Sequence, residues 1–205
     1  FLIFSFSMLE TIITERVNVE PYNVQINEGS LDILKLVFEF KIATARHITR
    51  FIKQRDMVKY VYLKLHRMWQ AGFLESFKVY TGSLAGIPVY YMLSKLGLKT
   101  LADYAHYDKL QLKNYPPIKI LLSSGSFKHE AQVVELASLE ALNKSGNLNI
   151  TFKGEVSSQT REYRSDKNIE VLTPDYTVFY IVGDQTERIF TEFERTNKTN
   201  QAMIR

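Results

Sequence analysis

The 205-residue chain is 45% hydrophobic and 23% charged, contains no cysteine and carries a formal net charge of +4. That balance fits one or two ordinary folded domains, and the missing cysteines exclude disulfides, thiolate metal centres and a Cys nucleophile. No stretch reaches the ~20 apolar residues of a membrane span, and the short apolar opening 1–7 has no basic n-region, so no membrane partner is expected and the cytoplasm is the expected compartment.

Residues 1–7 read either as sequence upstream of a start at Met8, or as a strand or dimer contact. Residues 1–29 form an arm. Helical periodicity begins at Leu31, with Leu34, Val37 and Phe38 on one face and Ser30 as the N-cap. Thr44 caps a second helix over 45–52, with Ile48, Phe51 and Ile52 inward. A third runs from Asp56 to about Gln70, with Val58, Val61, Tyr62, Leu65, Met68 and Trp69 as its buried stripe and Gly72 as its stop. Strands are expected at 73–80 and 87–93 around a glycine-marked turn, then a helix at 95–104 capped by Ser94. Residues 105–125 read as a linker, with 118–122 as a short strand after Pro116-Pro117. Ser126 opens a long helix, 127–144. Strands follow at 148–152, 169–172, 176–182 and 188–193, with a turn-rich stretch before 168 and a turn at Gly183-Asp184. The expected fold class is α+β: a winged helix-turn-helix over 30–104, then a small α/β endonuclease-like core over 126–205. Another helix is expected after Thr196.

Charge is unevenly placed. Residues 1–125 carry about +6 and residues 126–205 about −2. Within 41–67, eight basic residues face Asp56 alone. In a helix-turn-helix one helix crosses the DNA backbone and the next enters the major groove. The third helix is therefore expected to present Lys59, Tyr60, Lys64 and Arg67 to base edges and phosphates. Arg46, Arg50 and Lys53 would meet phosphates from the second helix and its exit, and Lys78 from the first wing strand. His47 and His66 are expected at the surface or on phosphates. The expected partner is double-stranded DNA, with a homodimer as one way to read two half-sites. The competing reading is a basic face on a protein-interaction module.

The second half carries acids at suggestive places. Asp175 follows Pro174 and precedes an apolar strand; after the turn a second strand ends in Glu192 and Glu194, which alternation puts on one face. Folding the second strand back would bring the three together, with Glu130 as a fourth acid. Converging carboxylates can bind a divalent cation, with Asp175 and Glu192 as its ligands and Mg as the cofactor, and such a cation can activate water against a phosphodiester. Asp175, Glu192, Glu194 and Glu130 are thus the candidate catalytic set. The position usually taken by lysine in such nucleases holds Glu194. The competing reading is three solvated acids on edge strands.

Several segments together resemble the replication-relaxation family encoded on plasmids and other mobile elements. They are Leu31-Asp-Ile-Leu-Lys-Leu-Val-Phe-Glu-Phe40, Ala43-Thr-Ala-Arg-His-Ile48, Leu65 to Glu75, Val89-Tyr-Tyr-Met-Leu-Ser-Lys-Leu-Gly97, His129-Glu130, Pro174-Asp175 and Thr191-Glu-Phe-Glu-Arg-Thr196. The resemblance implies a winged helix joined to a nuclease-like core of the PD-(D/E)xK kind, acting in plasmid replication or DNA processing. It leaves open whether the second half cleaves DNA or serves assembly.

Overall fold

The computed structural model describes residues 11–14, 24–52, 57–79, 87–105, 107, 112–113, 115–123, 126–143, 149–155, 160–163, 169–172, 174–182 and 185–192. The fold is α+β. Its helices are α1 (Glu28–Glu39), α2 (Ala45–Phe51), α3 (Val58–Gln70), α4 (Lys95–Ala105), α5 (Ile118–Ser123) and α6 (Phe127–Asn143). Its strands are β1 (Thr11–Thr14), β2 (Leu74–Val79), β3 (Val89–Leu93), β4 (Asn149–Gly154), β5 (Thr160–Tyr163), β6 (Ile169–Leu172), β7 (Tyr176–Val182) and β8 (Gln185–Thr191). None of the described helices is long and apolar enough to cross a membrane.

Local chemistry accounts for most of the boundaries. The N-cap of α1 is Asn27, three residues before the expected Ser30: its Oδ1 accepts from the Ser30 amide at 3.0 Å, and the buried Ser30 hydroxyl donates to the same oxygen. Thr44 caps α2 as expected. Its hydroxyl accepts from His47 N at 3.2 Å, and His47 Nδ1 accepts from Thr44 N at 3.3 Å, a reciprocal box with histidine in the usual Glu or Gln position. After α3, Gly72 takes φ 90°; its amide donates to Trp69 O and that of Phe73 to Met68 O, the pairing of a Schellman stop. Ser94 Oγ accepts from Gly97 N at 3.1 Å and opens α4.

Two regions depart from expectation. Residues 118–123 are helical. Pro117 offers its carbonyl to the amides of Ile120 and Leu121, starting a turn, and a short apolar run reads equally well as strand or buried helix. The turn-rich stretch contains β5, paired antiparallel with β6 as a two-stranded ribbon.

The strands otherwise form two antiparallel sheets, ordered β1-β2-β3 and β4-β7-β8. Helix α1 and the turn after it are tied to β3 by paired hydrogen bonds between Ala43 and Tyr91. Tyr115 sits beneath them: its hydroxyl donates to Lys41 O at 2.6 Å and accepts from Leu93 N at 2.9 Å. In the second sheet, Tyr176, Val178 and Tyr180 are buried, and both tyrosine hydroxyls donate to Glu140 on α6. One hydrophobic cluster runs from Leu34, Phe38 and Leu65 through Tyr115 and Phe127 to Val134 and Val178. Each such side chain contributes about 1.5–3 kcal/mol when fully buried. The halves therefore share a core, and Gly154 at the end of β4 lies directly against the backbone of Glu39 in α1.

Candidate nucleic-acid interface and carboxylate cluster

Helix α3 buries Val61, Leu65, Met68 and Trp69 and turns its other side outward. Lys59, Tyr60, Leu63 and Arg67 are exposed, Tyr60 at 56% and Leu63 at 45%. The helix has no acidic residue. Val58 and Tyr62, expected in the stripe, are 41% and 42% exposed: one overhangs the first turn, and the other lies at the stripe's far edge. Tyr62 instead stacks on His66, which stacks on Trp69 at 5.2 Å. Lys64 is half-buried on the flank, with its Nζ 3.1 Å from where a side chain on Gly29 would begin, at the start of α1. Burial lowers the Lys64 pKa, with Asp32 opposing.

The second helix has a different surface. Arg46 is exposed, but Arg50 and His47 are buried against α6. Arg50 Nη1 lies 2.7 Å from Glu135 and donates to Ser138 Oγ at 3.0 Å. His47 Nδ1 accepts from the Thr44 amide, so its Nε2 carries the hydrogen and donates to Glu135 at 2.9 Å. Those partners hold the Glu135 carboxyl at about 2: the His47 hydrogen bond acts most strongly, partial burial opposes it, and Arg50 adds to it. Of the expected DNA contacts, then, Arg50 and Lys64 face the protein, as does His47. Lys59, Tyr60, Arg67 and Arg46 face outward. Lys78 is half-buried on the central strand β2, between Ile12 and Val89. Lys53 lies outside the described residues.

The expected acids divide between two ion pairs. Glu130 is buried and accepts from Lys41 Nζ at 2.7 Å; the same ammonium bonds Glu155. Burial raises the Glu130 pKa against the pull of Lys41, while on Lys41 burial is outweighed by the two carboxylates, so its pKa is raised. Lys41 has φ 62°, a left-handed backbone usually left to glycine after a helix. Asp175 pairs with His129 Nε2 at 2.5 Å. The register sets Tyr176 opposite Thr191, so Asp175 and Glu192 stand at adjacent strand ends, but Asp175 turns to α6 while Glu192 is exposed. Glu194 lies outside the described residues. Among the described residues no group of three His, Asp or Glu is arranged to hold a metal ion. Of the four acids, Glu130 and Asp175 are engaged by Lys41 and His129.

Sequence reasoning did not assign Lys41, Glu135 and Glu155 to these clusters. Lys41 offered one signal, a non-glycine where a helix ends; Glu135 and Glu155 offered none. The chain matches no family model, no curated protein and no solved structure.

Proposed function

We propose that the chain is a DNA-binding protein of the replication-relaxation type, in which α1–α3 and the β2–β3 hairpin act as a winged helix-turn-helix and α3 reads duplex DNA. The observation that carries this reading is the outer face of α3. There Lys59 and Arg67 flank Tyr60 and Leu63 on a 13-residue helix without acids. Arginine and lysine suit guanine edges and phosphates, and apolar tips suit the thymine methyl. The second half, docked on α2 through Glu135, is read as a nuclease-like module that fixes the orientation of the reading helix rather than cutting DNA.

The test is a fluorescent duplex titrated at two salt concentrations, followed by Mg and Mn and a denaturing gel. The expected result is binding that weakens with salt and leaves the DNA whole. Replacing Lys59 and Arg67 by alanine should weaken binding and lower the salt slope by about one for each phosphate no longer neutralised. Unchanged affinity would move the interface off α3. Metal-dependent cleavage that disappears in Asp175→Ala would instead make the second half an endonuclease. One observation favours a protein partner as a second reading: Met57, Val58, Tyr60, Tyr62 and Leu63 form a run of exposed apolar side chains on and beside α3. No duplex affinity near physiological salt would select that reading.

A further inference from the structure

Strand β8 stands at one end of the order β4-β7-β8, and among the described residues only β7 pairs with it. Just two positions separate Val182 from Gln185, so this opposed pair exchanges its own hydrogen bonds, and bonded pairs recur at every second position from there. Gln185, Glu187, Ile189 and Thr191 therefore bond β7, while Thr186, Arg188 and Phe190 turn their N–H and C=O away from it. The side chains add to this. Ile189 lies opposite Val178 on the face that packs against the helices; Val178 is buried but Ile189 is 39% exposed, so the helical cover stops at β7. Phe190, on the other face, is 38% exposed. The strand thus carries uncovered apolar side chains on both faces. Proteins usually protect such an edge with lysine, proline or a bulge. Strand β8 has no lysine or proline, and its seven residues pair with β7 without a break.

We propose that β8 pairs antiparallel with β8 of a second copy across a two-fold axis, joining two three-stranded sheets into one. A two-fold contact is self-complementary, so one residue at its centre faces its own counterpart, and the charges choose which. Centred on Glu187 or on Arg188, the pairing sets like charges face to face. Centred on Ile189, it sets Arg188 against Phe190 and matches no charges. Centred on Phe190, it sets Arg188 of each copy opposite the exposed Glu192 of the other, with the Phe190 rings meeting between them and Ile189 opposite Thr191. Glu187, the one charge on the inner face of β8, falls outside the paired stretch 188–192. Main-chain bonds and apolar pairs hold the copies together, and the Arg188–Glu192 pairs select the register. One strand on one strand belongs at the small end of specific interfaces, below about 1,200 Å², so the dimer is expected to dissociate on dilution. The contact is remote from Lys59 and Arg67 and stands or falls independently of the duplex reading.

The experiment is sedimentation velocity of the whole chain across a concentration series. The parent should pass from monomer to dimer as the concentration rises. Phe190→Pro removes an outward N–H and keeps every bond to β7, so it should stay monomeric with a melt close to the parent's. If that melt falls, the charge variants decide. Arg188→Glu and Glu192→Arg should each weaken self-association about tenfold, because each sets like charges opposite one another twice by symmetry. Mixed in equal amounts the two should dimerise again, since in the mixed pair every charge at 188 meets its opposite at 192. The proposal is overturned if the parent is monomeric throughout, if a folded Phe190→Pro dimerises as the parent does, or if the mixture associates no better than its components. It is equally overturned if Tyr60→Ser abolishes the dimer and the β8 variants do not, which would place the contact on the apolar run of α3.

Discussion

Helices α2 and α3 are neighbours with similar basic character, yet their cations have different fates. On α3, Lys59 and Arg67 are exposed, on a helix that carries no acid. On α2, Arg50 and His47 are buried against Glu135, which lies 88 positions beyond His47 along the chain. A run of positive charge in a sequence is therefore not a positive surface. What decides is whether a distant element brings a carboxylate to it. Here α6 brings one to α2, which makes α2 the seat of the second half.

This contrast breaks most readily at the seat itself, and the largest effect is expected at Gly154. A side chain there would begin 1.5 Å from the Glu39 carbonyl oxygen, and the Gly154 amide already donates to Glu39 Oε2 at 3.0 Å. Neither backbone can yield without parting β4 from α1. Gly154→Ala should cost about 3 kcal/mol or more, toward the upper end of overpacking penalties. For a chain of this size that is a fall in Tm of roughly 10 °C. An unchanged melt would mean that the two halves do not meet in this way.

The next effect concerns Glu135. Removing its carboxylate leaves Arg50 buried with its hydrogen bond to Ser138 but without a counter-charge from α6. Because Glu135 is itself half-exposed, solvent screening reduces the loss to about 1–2 kcal/mol. The pH dependence follows from the depressed pKa. The carboxyl titrates at about 2 in the folded chain against an ordinary 4.5. Its stabilisation is complete above about pH 4.5 and disappears as the pH falls toward 2. Glu135→Gln should flatten that part of a urea-midpoint profile while leaving duplex affinity almost unchanged. A large gain in DNA binding by Glu135→Gln would show Arg50 reaching the DNA, and the contrast between the helices would fail.

Lys41 sharpens the other junction. Its left-handed backbone is strained for any residue but glycine, and its ammonium holds Glu130 and Glu155. Lys41→Ala loses the ion pairs and keeps the strain, whereas Lys41→Gly loses the pairs and relieves the strain. The glycine variant should therefore be the more stable of the two by about 1 kcal/mol in chemical denaturation. Equal stabilities would mean that the turn relaxes when the ammonium is gone.

Local signals were the most legible part of the sequence. Thr44, Gly72 and Ser94 sit where helices start or stop because their chemistry acts over three or four residues. The α3 core positions Val61, Leu65, Met68 and Trp69 followed from period alone. Residues 118–123 failed because a short apolar run fits two periods, and Ser30 failed because Asn27, three residues earlier, caps the helix instead. The site was less legible for a different reason. Asp175, Glu130 and Arg50 were picked out by type, but each is engaged by a residue 46 or more positions away: His129, Lys41 and Glu135. No spacing rule reaches that far.

The smallest effect is expected at Lys64, and it tests how finely the α3 face is drawn. One residue's rotation separates the outer face from the flank, and Lys64 falls on the flank. There its ammonium lies beside Gly29 at the positive end of α1, and burial lowers its pKa. Helix dipole and burial both disfavour the charge, and Asp32 offsets them only in part. Lys64→Ala should leave stability within about 0.5 kcal/mol of the parent. It should change duplex affinity less than either Lys59→Ala or Arg67→Ala, in anisotropy titrations at one salt concentration. If Lys64→Ala weakens binding as much as Arg67→Ala, the reading face is rotated toward α1, and the N-terminus of α1 belongs to the interface.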